Sequence, residues 1–226
     1  MQLYIGNKNY SSWSMRPWVL MRQAGIAFDE VMLRFDSFSA SSRFKTEVAR
    51  VSPAGRVPVL VDDGLAVWDT LAIAEYLAEH FPERSLWPAD RAQRARARSV
   101  CAEMHAGFGA LRSHCPMNIE ARLPEVGERV LREQEPVRAD LDRLLALWGD
   151  ALAASDGPML FGGFGIADAY FAPVAMRIET YALPVPAEIG AWLARLRALP
   201  GVAAWIADAL AERDFRAFEE PHRASP

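Results

Sequence analysis

Cysteine is nearly missing from this 226-residue chain, where Cys101 and Cys115 are the only two. On one helix they would lie about 21 Å apart at 1.5 Å per residue, beyond disulfide reach, so free thiols in a reducing compartment are expected. A positive excess is missing as well. The formal net charge is -4 and the pI is near 5.6, which argues against a nucleic-acid surface, since phosphate binding rests on clustered Lys and Arg. One basic run, Arg91, Arg94, Arg96 and Arg98, is read as a solvated or subunit-contact face. No apolar run approaches the ~20 residues of a membrane helix, and the N-terminus enters a strand without a charged-then-apolar leader. A cytoplasmic protein without membrane contact is therefore expected.

What is present suits a globular protein with a sizeable core: 51% hydrophobic and 24% charged residues, in one or two domains. Up to about Pro82 the elements alternate: a strand at Leu3 to Ile5, a helix from Ser14 to about Ala24, a strand at Phe28 to Phe35, and a polar, mobile loop from Asp36 to Arg43. A hairpin and a further helix complete this half, and such alternation predicts a layered α/β domain over residues 1–82. A linker from Phe81 to Asp90 contains Pro82 and Pro88, and beyond it strand signals almost vanish. Residues 88–226 read as an all-helical domain: one long helix from Leu123 to Leu152 kinked at Pro136, then helices at Ile166 to Tyr181, Glu188 to Ala198 and Val202 to Glu212, and a frayed tail from Glu219.

Two stretches carry chemistry. In the first, Leu3-Tyr4-Ile5 runs through a turn into Ser11-Ser12-Trp13-Ser14-Met15-Arg16-Pro17. The helix expected from Ser14 turns its unpaired N–H groups and positive dipole end toward serine hydroxyls, a natural place to hold an anion. In the second, Val57-Pro58 precedes two apolar runs around Asp63-Gly64, the dipeptide of a tight hairpin, and Asp69 or Thr70 can cap the following helix. That helix has Leu71, Ala74, Leu77 and Phe81 at buried-face spacing.

These stretches, with Gly165-Ile166-Ala167-Asp168 downstream, resemble the glutathione transferase superfamily in motif order and spacing. The resemblance implies a thioredoxin-like N-terminal domain that binds glutathione, an all-α C-terminal domain, glutathione as cosubstrate and a homodimer. It places Ser11 at the catalytic serine of the zeta and tau classes and Ser12 at that of the theta class. It makes Val57-Pro58 the cis-proline that pairs with the cysteinyl part of glutathione, next to Arg56, and sets Asp69 and Thr70 at the γ-glutamyl end. Tyr10, Trp13, Met104, His105, Phe108 and Arg112 form its pocket for the second substrate. Gly165 stands where the family's capping box carries serine or threonine, and Asp168 is a folding residue.

A thiol with a pKa near 8.5 is mostly protonated at neutral pH, and lowering that value by about two units needs roughly 2.7 kcal/mol. A helix N-terminus supplies about 0.3–2 kcal/mol and a hydrogen bond to a charged acceptor about 1.5–3, so one serine donor suffices. The expected reaction is attack of that thiolate on an electrophilic, apolar or aromatic small molecule. The alternatives are a zeta-like glutathione-dependent cis-trans isomerase, in whose motif Trp13 stands where cysteine is usual, and a non-catalytic scaffold of the same fold. Thiol–disulfide exchange lacks its cysteine, none occurring before Cys101. Cys101, His105, His114 and Cys115 are too far apart along one helix to close a zinc site, and no metal is expected.

Overall fold

A computed structural model describes residues 1–225. Leu3 and Ile5, both fully buried, point from β1 (Gln2–Ile5) into the core. β1 pairs in parallel with β2 (Asp29–Met32) and antiparallel with β3 (Val59–Asp62), and β4 (Leu65–Trp68) lies outside β3, giving the order β2-β1-β3-β4. Asp63 and Gly64 turn the hairpin with φ of 45° and 86°, the paired positive angles expected of that dipeptide.

α1 (Ser12–Gln23) begins two residues earlier than its sequence suggests, because Met15 N already donates to Ser11 O at 3.1 Å. Pro17 therefore lies inside the helix rather than in its first turn, and the Trp13 carbonyl has no N–H at that position to accept from. β2 is shorter than the run from Phe28 to Phe35, since Leu33 and Phe35 leave the sheet for a small separate core with Tyr10, Phe44 and Val48. The last two belong to α2 (Arg43–Val48), capped by Ser42 and too short for periodicity to reveal. α3 (Thr70–His80) starts at Asp69, whose Oδ1 accepts from Leu71 N at 2.9 Å. Its buried face is Thr70, Ile73, Ala74 and Leu77; Leu71 is half-buried, and Phe81 lies beyond the helix end.

The second half is helical. α4 (Arg91–Ala106) and α5 (Gly109–His114) are separate, broken at Gly107 and Phe108, so the two buried, free cysteines do not share a helix. Arg94 donates to the Pro88 and Ala89 carbonyls, while Arg96 and Arg98 pair with Asp150 and Glu75. The long helix with a kink is instead two helices, α6 (Pro124–Glu133) and α7 (Glu135–Ala153), with Pro136 in the first turn of the second, where its missing N–H costs nothing. α8 (Ile166–Thr180) is buried along nearly its whole length. Asp168 reaches back to Gly165 N at 3.1 Å, and a Cβ at Gly165 would sit 2.8 Å from the Leu86 carbonyl, which accounts for glycine at that cap. α9 (Ala187–Ala198) and α10 (Pro200–Glu212) follow.

The segment after α10 is not frayed where it is described. Glu220 is buried and accepts from Tyr10 Oη at 2.8 Å and Asn118 Nδ2 at 2.8 Å, so residues 213–225 fold back as a strap over the first turn. One apolar core runs through both halves, with α1 packed on α8 and α10. Lys8, buried between the rings of Trp18 and Trp205, reaches Glu30 at 2.8 Å and Asp208 at 2.6 Å across that seam.

Candidate active site

Two cavities meet at this seam. The first, about 360 Å³, lies between the turn of Tyr10, Ser11, Ser12 and Trp13 and the helical residues Arg112 and Arg177, with Phe35, Phe38, Phe44, Lys45 and Glu219 completing it. The second, about 460 Å³, is lined by Ala54, Pro58, Trp68, Asp69, Thr70 and His105. Trp13, Arg56 and Val57 belong to both, and the Val57–Pro58 bond is cis.

Ser11 holds the N-cap position of α1 without a side-chain capping bond and is buried; its Oγ donates to Ser14 Oγ at 2.7 Å, which also accepts from Gly6 N at 3.1 Å. Hydroxyl rotors are free to reverse, and since Ser14 already accepts the Gly6 N–H it can donate to Ser11, releasing the Ser11 proton toward the cleft. Ser12, the first residue of α1, is half-buried, and among the described residues its hydroxyl has no partner. Tyr10 contributes its ring, but its hydroxyl is tied to Glu220 and to Arg216 N, and burial first of all pushes it up to about 12.

In the second cavity Asp69 keeps its residue in the left-handed region at φ 76°, with one oxygen capping α3 and the other 3.3 Å from His105 Nε2. Thr70 is buried, and its hydroxyl is 2.8 Å from Tyr170 Oη. His105 thus faces this cavity and not the serine-lined one. Adjacent helical residues point about 100° apart, so Met104 turns into the core and lines neither cavity. Phe108, at φ 56° in the break between α4 and α5, is likewise core. Arg112 does line the serine cavity, with its guanidinium 5.5 Å from the Trp13 ring.

Buried arginines add charge around this cleft beyond Arg56 and Arg112. The Arg16 guanidinium is sandwiched between Trp13 at 4.3 Å and Tyr170 at 4.5 Å, and its Nε and Nη1 have no partner. Arg177, buried on α8, donates from Nη1 to the Cys115 carbonyl at 2.8 Å and has an unpartnered Nε. Burial pushes both down to about 10, leaving them charged at neutral pH. No carboxylate among the described residues pairs with Arg16, Arg56, Arg112 or Arg177, and the last three line the serine cavity, where they can pair with an anionic group of a ligand. Arg177 has a signal in the sequence only as the one cation on a mostly apolar helix.

Residues 91–208 match the family model described as the glutathione S-transferase C-terminal domain, and residues 10–80 match its N-terminal domain. The chain belongs to the glutathione S-transferase family. Within the family it is 28% identical to the maleylacetoacetate isomerase of Pseudomonas aeruginosa over 83% of this chain and 85% of that one. It is 30% identical to the probable maleylacetoacetate isomerase of Caenorhabditis elegans, but there the match spans about half the length, 48% of each chain. A glutathione transferase homologue from Burkholderia gl BGR1 with bound glutathione superposes with a TM-score of 0.68 at 25% identity, covering 92% of this chain and 96% of that one. The mixed four-stranded sheet followed by a helical domain is the architecture expected of the family. Among the described residues no group of three or more His, Cys, Asp or Glu is placed to hold a metal ion.

Proposed function

We propose that this chain binds glutathione in the cavity of Pro58, Asp69 and Thr70 and adds its thiolate, held by Ser11, to an electrophile with an aromatic or apolar body and a carboxylate. The observation that carries this reading is one cleft with a serine turn on one wall and, on another, the guanidiniums of Arg112 and Arg177, which bond to backbone carbonyls and, among the described residues, to no carboxylate. The aromatic lining favours a flat apolar body, and the arginines add a preference for an anion. Glutathione as cosubstrate is supported by the Burkholderia relative, which holds it. A homodimer in the cytoplasm agrees with the family resemblance.

The arginines also favour a second reading, cis-trans isomerisation of an unsaturated dicarboxylate, as in the relatives named maleylacetoacetate isomerase. Both reactions begin with thiolate addition to an activated carbon. Calorimetry should detect glutathione binding at millimolar concentration or below. Parallel assays of maleylacetone isomerisation and of conjugation to an aromatic halide separate the two readings, and absence of glutathione binding would leave only a scaffold.

A further inference from the structure

The strap places two adjacent carboxyls differently. Glu220 takes every partner within reach: Tyr10 Oη, Asn118 Nδ2, and both Nε and Nη2 of Arg223, at 2.9 and 2.5 Å. Glu219 ends the short 3-10 turn Ala217–Glu219 and lines the serine cavity, and among the described residues no donor reaches its carboxyl. Its backbone is held from both sides, by Arg216 N on Tyr10 Oη at 3.1 Å and by the Glu220 network. The residue is thus held at the cleft, and among the described residues its carboxyl has neither a hydrogen-bond donor nor an ion pair.

We propose that Glu219 is the proton donor for thiolate addition to carbon–carbon double bonds in this cleft, an assignment that rests on the glutathione-dependent reading above. The thiolate sulfur bonds to the β-carbon of an enone, and the π pair moves to the α-carbon and carbonyl oxygen. The O–H of Glu219 then gives its proton to the α-carbon, and the carboxylate left behind recovers a proton from solvent. Isomerisation needs no such step, because the same adduct rotates and expels the thiolate. Proton delivery therefore commits the adduct to conjugation.

The environment suits an acid. Burial, and then the charge of Glu220, push Glu219 up to about 7, while Arg223 and Tyr10 help hold Glu220 below the usual carboxylate range. Two carboxyls driven apart in this way mark a division of roles. The other charged groups facing the cleft are Lys45 on α2, Arg56 before β3, Arg112 on α5 and Arg177 on α8. Lys45 is engaged with the Gly55 carbonyl at 2.9 Å.

The test compares two electrophiles on the full chain. 4-Carboxybenzylideneacetone requires a proton at carbon, whereas 1-chloro-2,4-dinitrobenzene releases chloride and takes up none. Thiolate formation is common to both, so it cancels in the ratio of their kcat/KM values. In the parent that ratio should fall as pH rises through about 7. In Glu219→Gln it should be about 100-fold lower, the lower part of what a positioned acid contributes, and independent of pH. Glu219→Asp, which keeps the acid, should retain the pH-dependent ratio. Equal losses on both electrophiles, or a pH-dependent ratio surviving in Glu219→Gln, would overturn the assignment. Halide turnover without enone turnover by the parent would overturn it while leaving the glutathione reading intact. A parent that turns over neither and binds no glutathione would remove that reading, and the acid with it.

Discussion

Ser11, the proposed thiolate donor, is joined to Ser14 at 2.7 Å, and Ser14 also accepts from the Gly6 N–H. Ser11→Ala should lower turnover about 10- to 100-fold, the worth of one hydrogen bond to a charged acceptor, with the melting temperature nearly unchanged. Full activity in Ser11→Ala beside loss in Ser12→Ala would transfer the role to Ser12. Arg177→Gln should raise KM for a carboxylated electrophile well above its effect on the methyl ester, since only the acid loses an ionic partner. Glu219 also bears on stability. Its folded pKa of about 7 exceeds the ordinary 4.5, so its contribution is complete below about 4.5 and is lost as pH rises through 7. Urea melts should show Glu219→Gln gaining on the parent across that window, by on the order of 1–3 kcal/mol.

Among the elements, α8 shows how one acid serves a fold. Asp168 accepts from Leu160 N, Gly165 N and Trp192 Nε1, joining the turn before α8, its first residues and α9. Asp168→Ala should cost about 1–3 kcal/mol, by removing a cap and leaving buried N–H groups without an acceptor; equilibrium unfolding checks this. The Gly-x-x-Asp pattern made this role readable in advance. The strap was not readable, because its polar, low-periodicity sequence resembles a frayed end and its partners, Tyr10 and Asn118, lie more than 100 residues away.

At the scale of the molecule, the two halves share a core through α1, α8 and α10. Gly201 at the start of α10 allows that contact, since a Cβ there would stand 3.0 Å from Gln23 N and 3.1 Å from Gln23 Cβ. The parent should unfold in a single calorimetric transition, and Gly201→Val should lower its midpoint by several degrees through forced separation of α1 and α10. On the proposed reading, glutathione at 100 times its Kd should stabilise the parent by about 2.7 kcal/mol, by binding only the folded cleft.

Short-range rules carried far in this chain. Hairpin dipeptide, helix caps and motif order act mostly at short range, and they sufficed for the α/β-then-helical plan, the serine turn and the cap of α3 at Asp69. They failed wherever a side chain's direction depended on distant packing. Met104 and His105 are neighbours in sequence, yet the rotation of α4 against the core sends one inward and the other to a cavity. Arg177 lines the serine cavity from α8, and Glu219 lines it from a strap about 200 residues beyond the serines. No local spacing encodes such approaches, since they exist only once α1 has packed on α8 and α10 and the strap has closed on Tyr10.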